Sequence, residues 1–464
     1  MTKRFFVSFG LACVVCVNPC FFQSAHAAPD SVVVTLGAVY SLAEEESRQI
    51  KLSEQQLAAA KEGLQQAKNN LLPSVQVSLS GSYIGDAYLM SRGFSTGGQT
   101  EVILPGLGPQ QVDNGRQPSP HWGNSFSVEA TQVICAGGAL VAGVKIADFI
   151  EQIAELDVAK SKQEVRFLLT GYYLDLVKTG NQLEVIDRHI ELTERVLEQM
   201  RAREAVGVVL RNDLTRYELQ LKQLQLARVR LQDVLSIVHH QLHTALHRPE
   251  GVVLVPDTVS LQQEYAALES VAAEQLWQNR AADSHIGIRQ AEKAEAVSEQ
   301  QVKATRAASI PSIAVVAKDE LWGPYTTDLI PVNANVNAWF VGIGLQYDLG
   351  SLWHNHCAIR KAKTERQAAQ TRTEMAREGV NNAVHAGYVH FLTSFTEVDT
   401  QEKQVQLADE NYGLVEKRYN NELALLTDLL DASSIKLQAD MALVNARVNL
   451  LYNYYQLKYI THTL

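Results

Sequence analysis

Apolar residues recur at alternating steps of three and four positions along a long stretch of this chain. The pattern runs from Val165 to Met200 and, after a break, resumes from Leu214 to Leu242. A spacing of about 3.5 residues is typical of a coiled-coil seam rather than of a helix on a globular surface. The stretch 139–246 is therefore predicted to fold back on itself as a long helical hairpin.

A fainter version of the same pattern occurs near the C terminus. Apolar seam positions lie between Val384 and Val398 and again between Ile435 and Tyr459, which predicts a second helical hairpin at about 353–464. An arm of about 65 residues, rising ~1.5 Å per residue, would span ~100 Å.

Elsewhere, apolar and polar residues alternate one by one, as expected for β-strands. From Ser74 to Tyr83, for example, valine and leucine alternate with serine and glutamine. One apolar and one polar face suits a membrane barrel, with lipid outside and water inside, although a soluble sheet with one wet face has the same pattern. Because small closed barrels need about eight strands, several chains are expected to share one. The predicted strands are at about 74–86, 124–134, 312–319 and 337–348.

Several short motifs occur twice in the same order. The segment Leu72-Pro73-Ser74-Val75 recurs as Ile310-Pro311-Ser312-Ile313, and Asp213-Leu214 recurs as Asp428-Leu429. Internal repeats of this kind indicate a duplicated fold. We place the first repeat at 28–246, a Pro- and Gly-containing linker at 247–266 and the second repeat at 267–464. The predicted fold is mainly α with a membrane β-barrel, each repeat contributing a helix, a strand pair and a long helical hairpin.

The N terminus has the features of a secretory signal peptide. Lys3 and Arg4 precede an apolar run, and Ala25-His26-Ala27 is a plausible cleavage site, so residues 1–27 are expected to be removed. The lipoprotein alternative would modify Cys20, but the residues before it lack the required small-residue box. No later segment has the roughly eighteen consecutive apolar residues of a membrane helix, so any membrane insertion is expected to use strands.

Charge and cysteine content argue against two further features, nucleic-acid binding and a disulfide-stabilised fold. The formal net charge of −10 disfavours nucleic acid as a partner. Only Cys135 and Cys357 lie beyond the predicted signal peptide, which is too few for a disulfide framework.

Together these features resemble the TolC family over essentially the whole mature chain. The resemblance lies in the signal peptide, the tandem repeat, the Pro-Ser junction before each strand pair, and two hairpin turns. These turns run from Val206 through Asp213-Leu214 and from Tyr419 through Asp428-Leu429-Leu430-Asp431-Ala432. The resemblance implies a homotrimer with a twelve-stranded barrel, four strands per chain, on an α-helical tunnel. It also implies location in the cell outer membrane with a periplasmic extension.

The partners that the family implies are a periplasmic adaptor, or membrane fusion protein, and an inner-membrane pump of the proton-driven or ATP-driven type. By matching the family's motifs, Asp428, Asp431, Asp213 and Tyr419 are assigned to a gate at the periplasmic entrance. The adaptor is expected to dock on Val206, Gly207 and Val208. This sequence departs from the family at Ala424, where the best-known member has a basic residue, and at Glu422, which replaces the glycine of repeat one.

A structural role is an alternative for each gate residue. Asp213 and Asp428 precede apolar heptads, where a carboxylate can cap a helix and complement its dipole. Asp431 lies a turn further in and is harder to explain as a cap. Tyr419 would serve equally well as a seam residue of its heptad.

The sequence carries no convincing motif for catalysis. Gly138 and Gly143 have phosphate-loop spacing, but the lysine and hydroxyl residue that should follow are missing. His-Glu-x-x-His does not occur. We therefore predict that the protein is not an enzyme and needs no cofactor.

Two histidine groups are candidates for metal binding. His239, His243 and His247 fall on one helical face, and His354, His356 and Cys357 form a shorter group. A solvated helix end rich in imidazoles explains the first group as well, since a real site needs a convergent shell of ligands. No metal site is assigned.

The predicted function is the outer-membrane channel of a tripartite efflux or type I secretion system, which passively exports small molecules or proteins. The alternative, supported by the heptads alone, is a non-channel periplasmic coiled-coil or surface-assembly structural protein. The segment from Leu89 to Trp122, rich in Gly and Pro, is predicted to be an external loop.

Overall fold

A computed structural model describes most of the chain from residue 30 onward. The predicted signal peptide at 1–27 lies outside the described residues, and so does most of the predicted external loop. The described residues are 30–83, 85, 87–88, 101–104, 108–111, 116–117, 121–247, 252–257, 261, 263, 265, 268, 273–326, 331–332 and 334–464.

Helices form most of this part of the chain. In chain order they are α1 (Leu36–Glu46), α2 (Arg48–Asn69), α3 (Ala139–Ala205), α4 (Arg211–Leu246), α5 (Glu274–Ser284), α6 (Ile286–Ala307), α7 (Ser351–Asn420) and α8 (Leu426–Ile460). Helices α3 and α7 have 67 and 70 residues, so each spans ~100 Å. Among the described residues, no helix is both long and apolar enough to cross a membrane.

The strands are shorter and fall into several sheets. In chain order they are β1 (Asp30–Val34), β2 (Ser74–Tyr83), β3 (Ala87–Tyr88), β4 (Glu101–Leu104), β5 (Gly108–Gln111), β6 (Arg116–Gln117), β7 (Trp122–Ala136), β8 (Val252–Pro256), β9 (Ser312–Gly323), β10 (Tyr325–Thr326), β11 (Pro331–Val332) and β12 (Val336–Gln346). Within the predicted external loop and just before it, the described pieces pair as β3 with β6 and β4 with β5, both antiparallel.

The main sheet has four antiparallel strands in the order β12-β9-β7-β2. Its central pair joins β7 of the first repeat to β9 of the second. Strand β9 continues to Gly323, beyond the predicted end at 319, because β7 and β12 flank it over this length and accept its backbone hydrogen bonds. The two repeats therefore contribute to one sheet, and β2 and β12 form its edges.

Each repeat builds its helical part in the same way. One long helix carries two shorter ones along its length, α2 and α4 on α3 and, in the second repeat, α6 and α8 on α7. Helix α3 also packs against α6 and α8, which joins the repeats side by side. Most seam positions predicted from the heptad pattern, such as Leu169 and Met200, are buried, as coiled-coil packing requires.

Two apolar cores hold the helices together. The larger one combines residues of both repeats, including Leu169, Tyr173 and Phe391, all fully buried. The smaller one lies at the hairpin tips, around Met200 and Leu429. Burial of such side chains stabilises a fold by roughly 1.5–3 kcal/mol each, so the contact between repeats is a major part of the stability.

The segment interpreted as a linker contains a strand. Within 247–266, β8 pairs in parallel with β1 from the start of the described chain, with Val32 opposite Leu254. The phenol of Tyr173 on α3 donates to Val34 O at 3.0 Å and accepts from Asp257 N at 3.0 Å. One buried tyrosine thus ties both strands to the long helix of the first repeat.

The chain turns sharply where the sheet meets α3. Gly137 and Gly138 have φ angles of 60° and 86°, a region that glycine enters without steric cost. A Cβ on Gly137 would lie 2.8 Å from both Ala307 O and Ile310 Cβ at the end of α6. This glycine therefore allows the close approach of the two repeats beneath the sheet.

We expect the Gly137→Ala substitution to destabilise the protein, because the new methyl group meets α6 and the φ angle becomes strained. The expected loss is ~1–3 kcal/mol in the free energy of unfolding, seen as a lower midpoint when helix content is followed by circular dichroism. Gly143→Ala is the matched control, since its Cβ has open space in the helix. Equal unfolding midpoints for the two variants would contradict this explanation.

Candidate functional site at the hairpin tips

The two hairpin turns have nearly identical backbone geometry. In the first, Gly207 N donates to Glu204 O at 2.9 Å and Val208 N to Arg203 O at 3.0 Å. The equivalent bonds in the second turn are 3.0 Å and 2.8 Å long, the longer one from Glu422 N to Tyr419 O and the shorter one from Leu423 N to Arg418 O. This pattern is the Schellman closure of a helix C terminus.

Glu422 takes the left-handed conformation that Gly207 supplies in the first turn. Its φ is 63°, against 82° for Gly207. A non-glycine residue costs ~1–2 kcal/mol in this region, so the replacement preserves the turn at some cost in stability. The sequence departure at Glu422 therefore leaves the backbone of the two tips equivalent.

Both turns expose aliphatic side chains. Side chains of this size are usually buried, and a group of them at the end of a long hairpin indicates a contact surface. The exposed residues are Val206 (75%), Val208 (55%) and Leu210 (71%) in the first turn and Leu423 (68%) and Leu425 (70%) in the second. Two of the three residues predicted for adaptor docking, Val206 and Val208, belong to this set, and Gly207 lies between them.

The tips are joined to each other by a polar contact that sequence reasoning missed. The guanidinium of Arg203, at the end of α3, donates to Asn420 O at 3.3 Å in the second hairpin. It also reaches Asn420 Oδ1 at 3.5 Å. Arg203 and Arg418 stand at matching positions before the two turns, but nothing in the sequence shows that Arg203 crosses between the hairpins.

Tyr419 lies next to this contact. Burial raises the pKa of its phenol; the charge of Arg203 opposes the rise and the Asp213 carboxylate adds to it. Asp213 and Tyr419, predicted as gate residues from different repeats, therefore lie in the same region of one chain. The phenol is protonated at neutral pH and can donate a hydrogen bond.

Two further tyrosines, Tyr217 and Tyr412, lie in the apolar core next to the hairpin tips. Tyr217 is fully buried, and its pKa is raised mainly by burial and then by Tyr412. Burial, with the nearby Glu416 carboxylate, raises the pKa of Tyr412 to about 12. Both phenols stay neutral at physiological pH, so this layer packs as part of the core rather than carrying charge.

The equivalent aspartates of the two hairpins have different surroundings. Asp428 Oδ2 accepts a hydrogen bond from Leu425 N at 3.1 Å, which caps the start of α8. Asp213 occupies the matching position in the first turn of α4, where no side-chain cap bond is present. Asp428 therefore caps its helix through a hydrogen bond, whereas the structural role left to Asp213 is to complement the helix dipole.

Asp431 lies one turn further along α8 and is exposed. It follows Asp428 by three residues, so the two carboxylates share a helix face. The structure therefore places two acidic side chains together at the solvent-facing tip of the second hairpin.

The histidine groups do not form a metal site. Among the described residues, no group of three or more His, Cys, Asp or Glu side chains is arranged to hold a metal ion. His243 is buried, and burial lowers the pKa of His239, with a further contribution from His243. His247 is the C-cap of α4, with a φ of 50°. These histidines lie in the last turns and at the C-cap of α4.

Comparison with known proteins finds a family match in the second repeat. Residues 277–461 match the family model described as outer membrane efflux protein. The resemblance to the TolC family is confirmed. That family consists of outer-membrane transport channels, so the match supports the predicted location and the prediction that the protein is not an enzyme.

Solved structures share the fold over nearly the whole chain. The outer membrane protein VceC from Vibrio cholerae has a TM-score of 0.70 at 14% identity, covering 92% of this chain and 95% of that one. The CmeC channel of Campylobacter jejuni has a TM-score of 0.69 at 15% identity, covering 92% and 85%. The open state of the MtrE channel of Neisseria gonorrhoeae has a TM-score of 0.67 at 16% identity, covering 92% and 88%. No curated protein matches the sequence.

The cap at Asp428 can be tested by substitution. Asp428→Ala should speed amide exchange at the start of α8 and cost ~0.5–2 kcal/mol of local stability, whereas Asp428→Asn should change little, because asparagine caps about as well. Asp431→Ala is the control, being exposed and a turn beyond the cap. Hydrogen exchange of residues 425–430 measures the effect, and equal exchange in all three variants would rule out a capping role.

Proposed function

We propose that this TolC-family protein is the outer-membrane channel of a tripartite efflux or type I secretion system. In this proposal three copies close a twelve-stranded barrel, and their hairpins form a tunnel through the periplasm. An inner-membrane pump supplies small molecules or proteins through a periplasmic adaptor, and the channel exports them passively. The observation that carries the proposal is a four-stranded sheet, open at both edges, on top of two ~100 Å hairpins.

The two faces of the sheet differ as a barrel wall requires. One face is apolar and exposed in the single chain, with Leu79 80%, Val77 66% and Ile343 78% exposed. Asp319 lies on the same face opposite Trp339, and we assign this pair to the membrane–water interface, where a carboxylate and an indole are both tolerated.

The other face is polar and charged. Glu129 lies opposite Lys318 in the register of β7 and β9, and Lys318 Nζ pairs with Glu320 at 2.8 Å. Charged side chains on one face and aliphatic ones on the other support a water-filled interior and a lipid-facing exterior.

The tip geometry supports a gate. Arg203 links the two hairpins of one chain through Asn420. Opening would break this contact and separate the part of the apolar core that the two tips share. We propose that Asp428 and Asp431 of three chains then line the entrance, and that the exposed valines and leucines of both turns receive the adaptor.

The proposal is tested by isolating the protein from membranes. It should require detergent for extraction, cross-link as a trimer and form cation-selective channels in planar bilayers. A detergent-independent, non-conducting protein would favour the periplasmic structural alternative.

A more specific prediction concerns the negative charge of Asp428 and Asp431 at the proposed entrance. The double change Asp428→Asn with Asp431→Asn should lower cation selectivity and weaken block by multivalent cations, because it removes two carboxylates from each chain. The trimer should still assemble, since the heptad seams are unchanged. Single-channel recording makes the measurement.

The matched control is Asp233→Asn with Asp399→Asn, which removes the same charge from exposed positions midway along α4 and α7. Unchanged selectivity and block in the tip variant, or equal loss in both, would remove Asp428 and Asp431 from the gate and leave Asp428 only its capping role.

A further inference from the structure

The four helix ends nearest the main sheet each expose an apolar side chain. Leu72 (63%) precedes β2, and Val141 (56%) lies in the first turn of α3, after β7. Ile310 (48%) precedes β9, and Trp353 (64%) lies in the first turn of α7, after β12. These residues therefore place exposed apolar side chains where the sheet meets the helical part.

A basic residue accompanies each of them at helical spacing. Lys68, Lys145 and Arg306 lie four residues from their apolar neighbours, and Arg360 lies seven from Trp353. Residues four and seven apart share a helix face, as in α3 and α7, whereas Leu72 and Ile310 lie just beyond the ends of α2 and α6. All four basic residues are exposed, and all lie on the tunnel side of the apolar residues. We call these four the basic collar.

The helix ends that carry the basic collar contain no acidic residues. The helix ends 63–69, 139–145, 301–307 and 351–361 contain no Asp or Glu, although the whole chain has a net charge of −10. Asp348, between β12 and α7, uses its carboxylate to accept from Gly350 N at 2.9 Å. The basic residues at these helix ends therefore run against the net charge of the whole chain.

The collar residues are also not neutralised by ion pairs. Lys303 Nζ, close by, pairs with Glu299 at 3.0 Å. Within the described part of the chain, none of the four collar residues lies within ion-pair distance of a carboxylate, although Lys145 is near enough to Glu299 to lower that carboxyl's pKa slightly. Arg360 donates only to Cys357 Sγ, at 3.3 Å.

We infer that the basic collar binds the anionic headgroups of phospholipids in the leaflet that faces the helical tunnel. This inference rests on the proposed function, because it requires the apolar face of the sheet to be in a bilayer. The apolar residues would reach the acyl chains, while the longer basic side chains extend to the phosphates, the usual arrangement at a membrane interface. Each basic residue near an anionic surface adds ~1 kcal/mol, or about a five-fold preference.

The test uses the fluorescence of Trp353 in bilayers. The protein is reconstituted with brominated phosphatidylglycerol or brominated phosphatidylcholine, which quench tryptophans that they touch. The signal of Trp353 is the difference between the wild type and Trp353→Phe. The ratio of quenching by the two lipids then gives the local enrichment of the anionic lipid at this junction.

The collar variant carries Lys68→Gln, Lys145→Gln, Arg306→Gln and Arg360→Gln. The control variant changes four exposed basic residues nearer the hairpin tips, with the same loss of charge. We expect several-fold enrichment of phosphatidylglycerol in the wild type and control, and a ratio near one in the collar variant. The control changes are Arg216→Gln, Lys222→Gln, Lys403→Gln and Lys417→Gln.

The outcomes separate the two proposals. Equal quenching by both lipids in the wild type, or the same enrichment in the collar and control variants, would overturn the collar and leave the channel standing. Absence of quenching by either lipid would mean that a neighbouring subunit or solvent covers the junction. That result would contradict lipid binding by the basic collar. Failure of the protein to insert into bilayers at all would contradict the proposed function.

Discussion

Backbone hydrogen bonding along the outer edges of β2 and β12 is the constraint on which the rest of the molecule depends. The sheet order β12-β9-β7-β2 leaves these two edges without a neighbour among the described strands. In hydrocarbon each unpaired N–H or C=O group costs several kcal/mol, and a sheet of four strands is too narrow to close on itself. In the proposed channel these edges therefore pair with other copies, and the helices beneath the sheet take the same symmetry.

Periodicity was enough to predict the helical hairpins and the four main strands, because both patterns are local. Strands β1 and β8 show what periodicity misses. Both are short runs rich in valine, and a parallel pair between the start of the chain and residue 252 leaves no local signal. The proline and glycine residues around β8 favoured a linker instead. The contact that fixes the pair, from Tyr173 to Val34 and Asp257, is a tertiary one.

The tip could be located from the repeats, but the roles of its residues could not. Asp213 and Asp428 occupy equivalent positions in equivalent turns, and the sequence offered capping and gating for both. The structure separates them, since Asp428 accepts a hydrogen bond from Leu425 N while no such cap bond is present at the start of α4. Sequence spacing does not show this difference, and it does not show the contact between repeats from Arg203 to Asn420.

The central claim is that β2 of one chain pairs with β12 of the next. Disulfide trapping tests it directly, with Ser78→Cys in β2 combined in turn with Phe340→Cys, Gly342→Cys or Gly344→Cys in β12, after Cys135 and Cys357 are changed to serine. Cross-strand neighbours lie ~4.5–5.5 Å apart at Cα, within disulfide range. The account predicts that one register gives a covalent trimer on a denaturing gel. Links only within single chains, or none in any register, would contradict it.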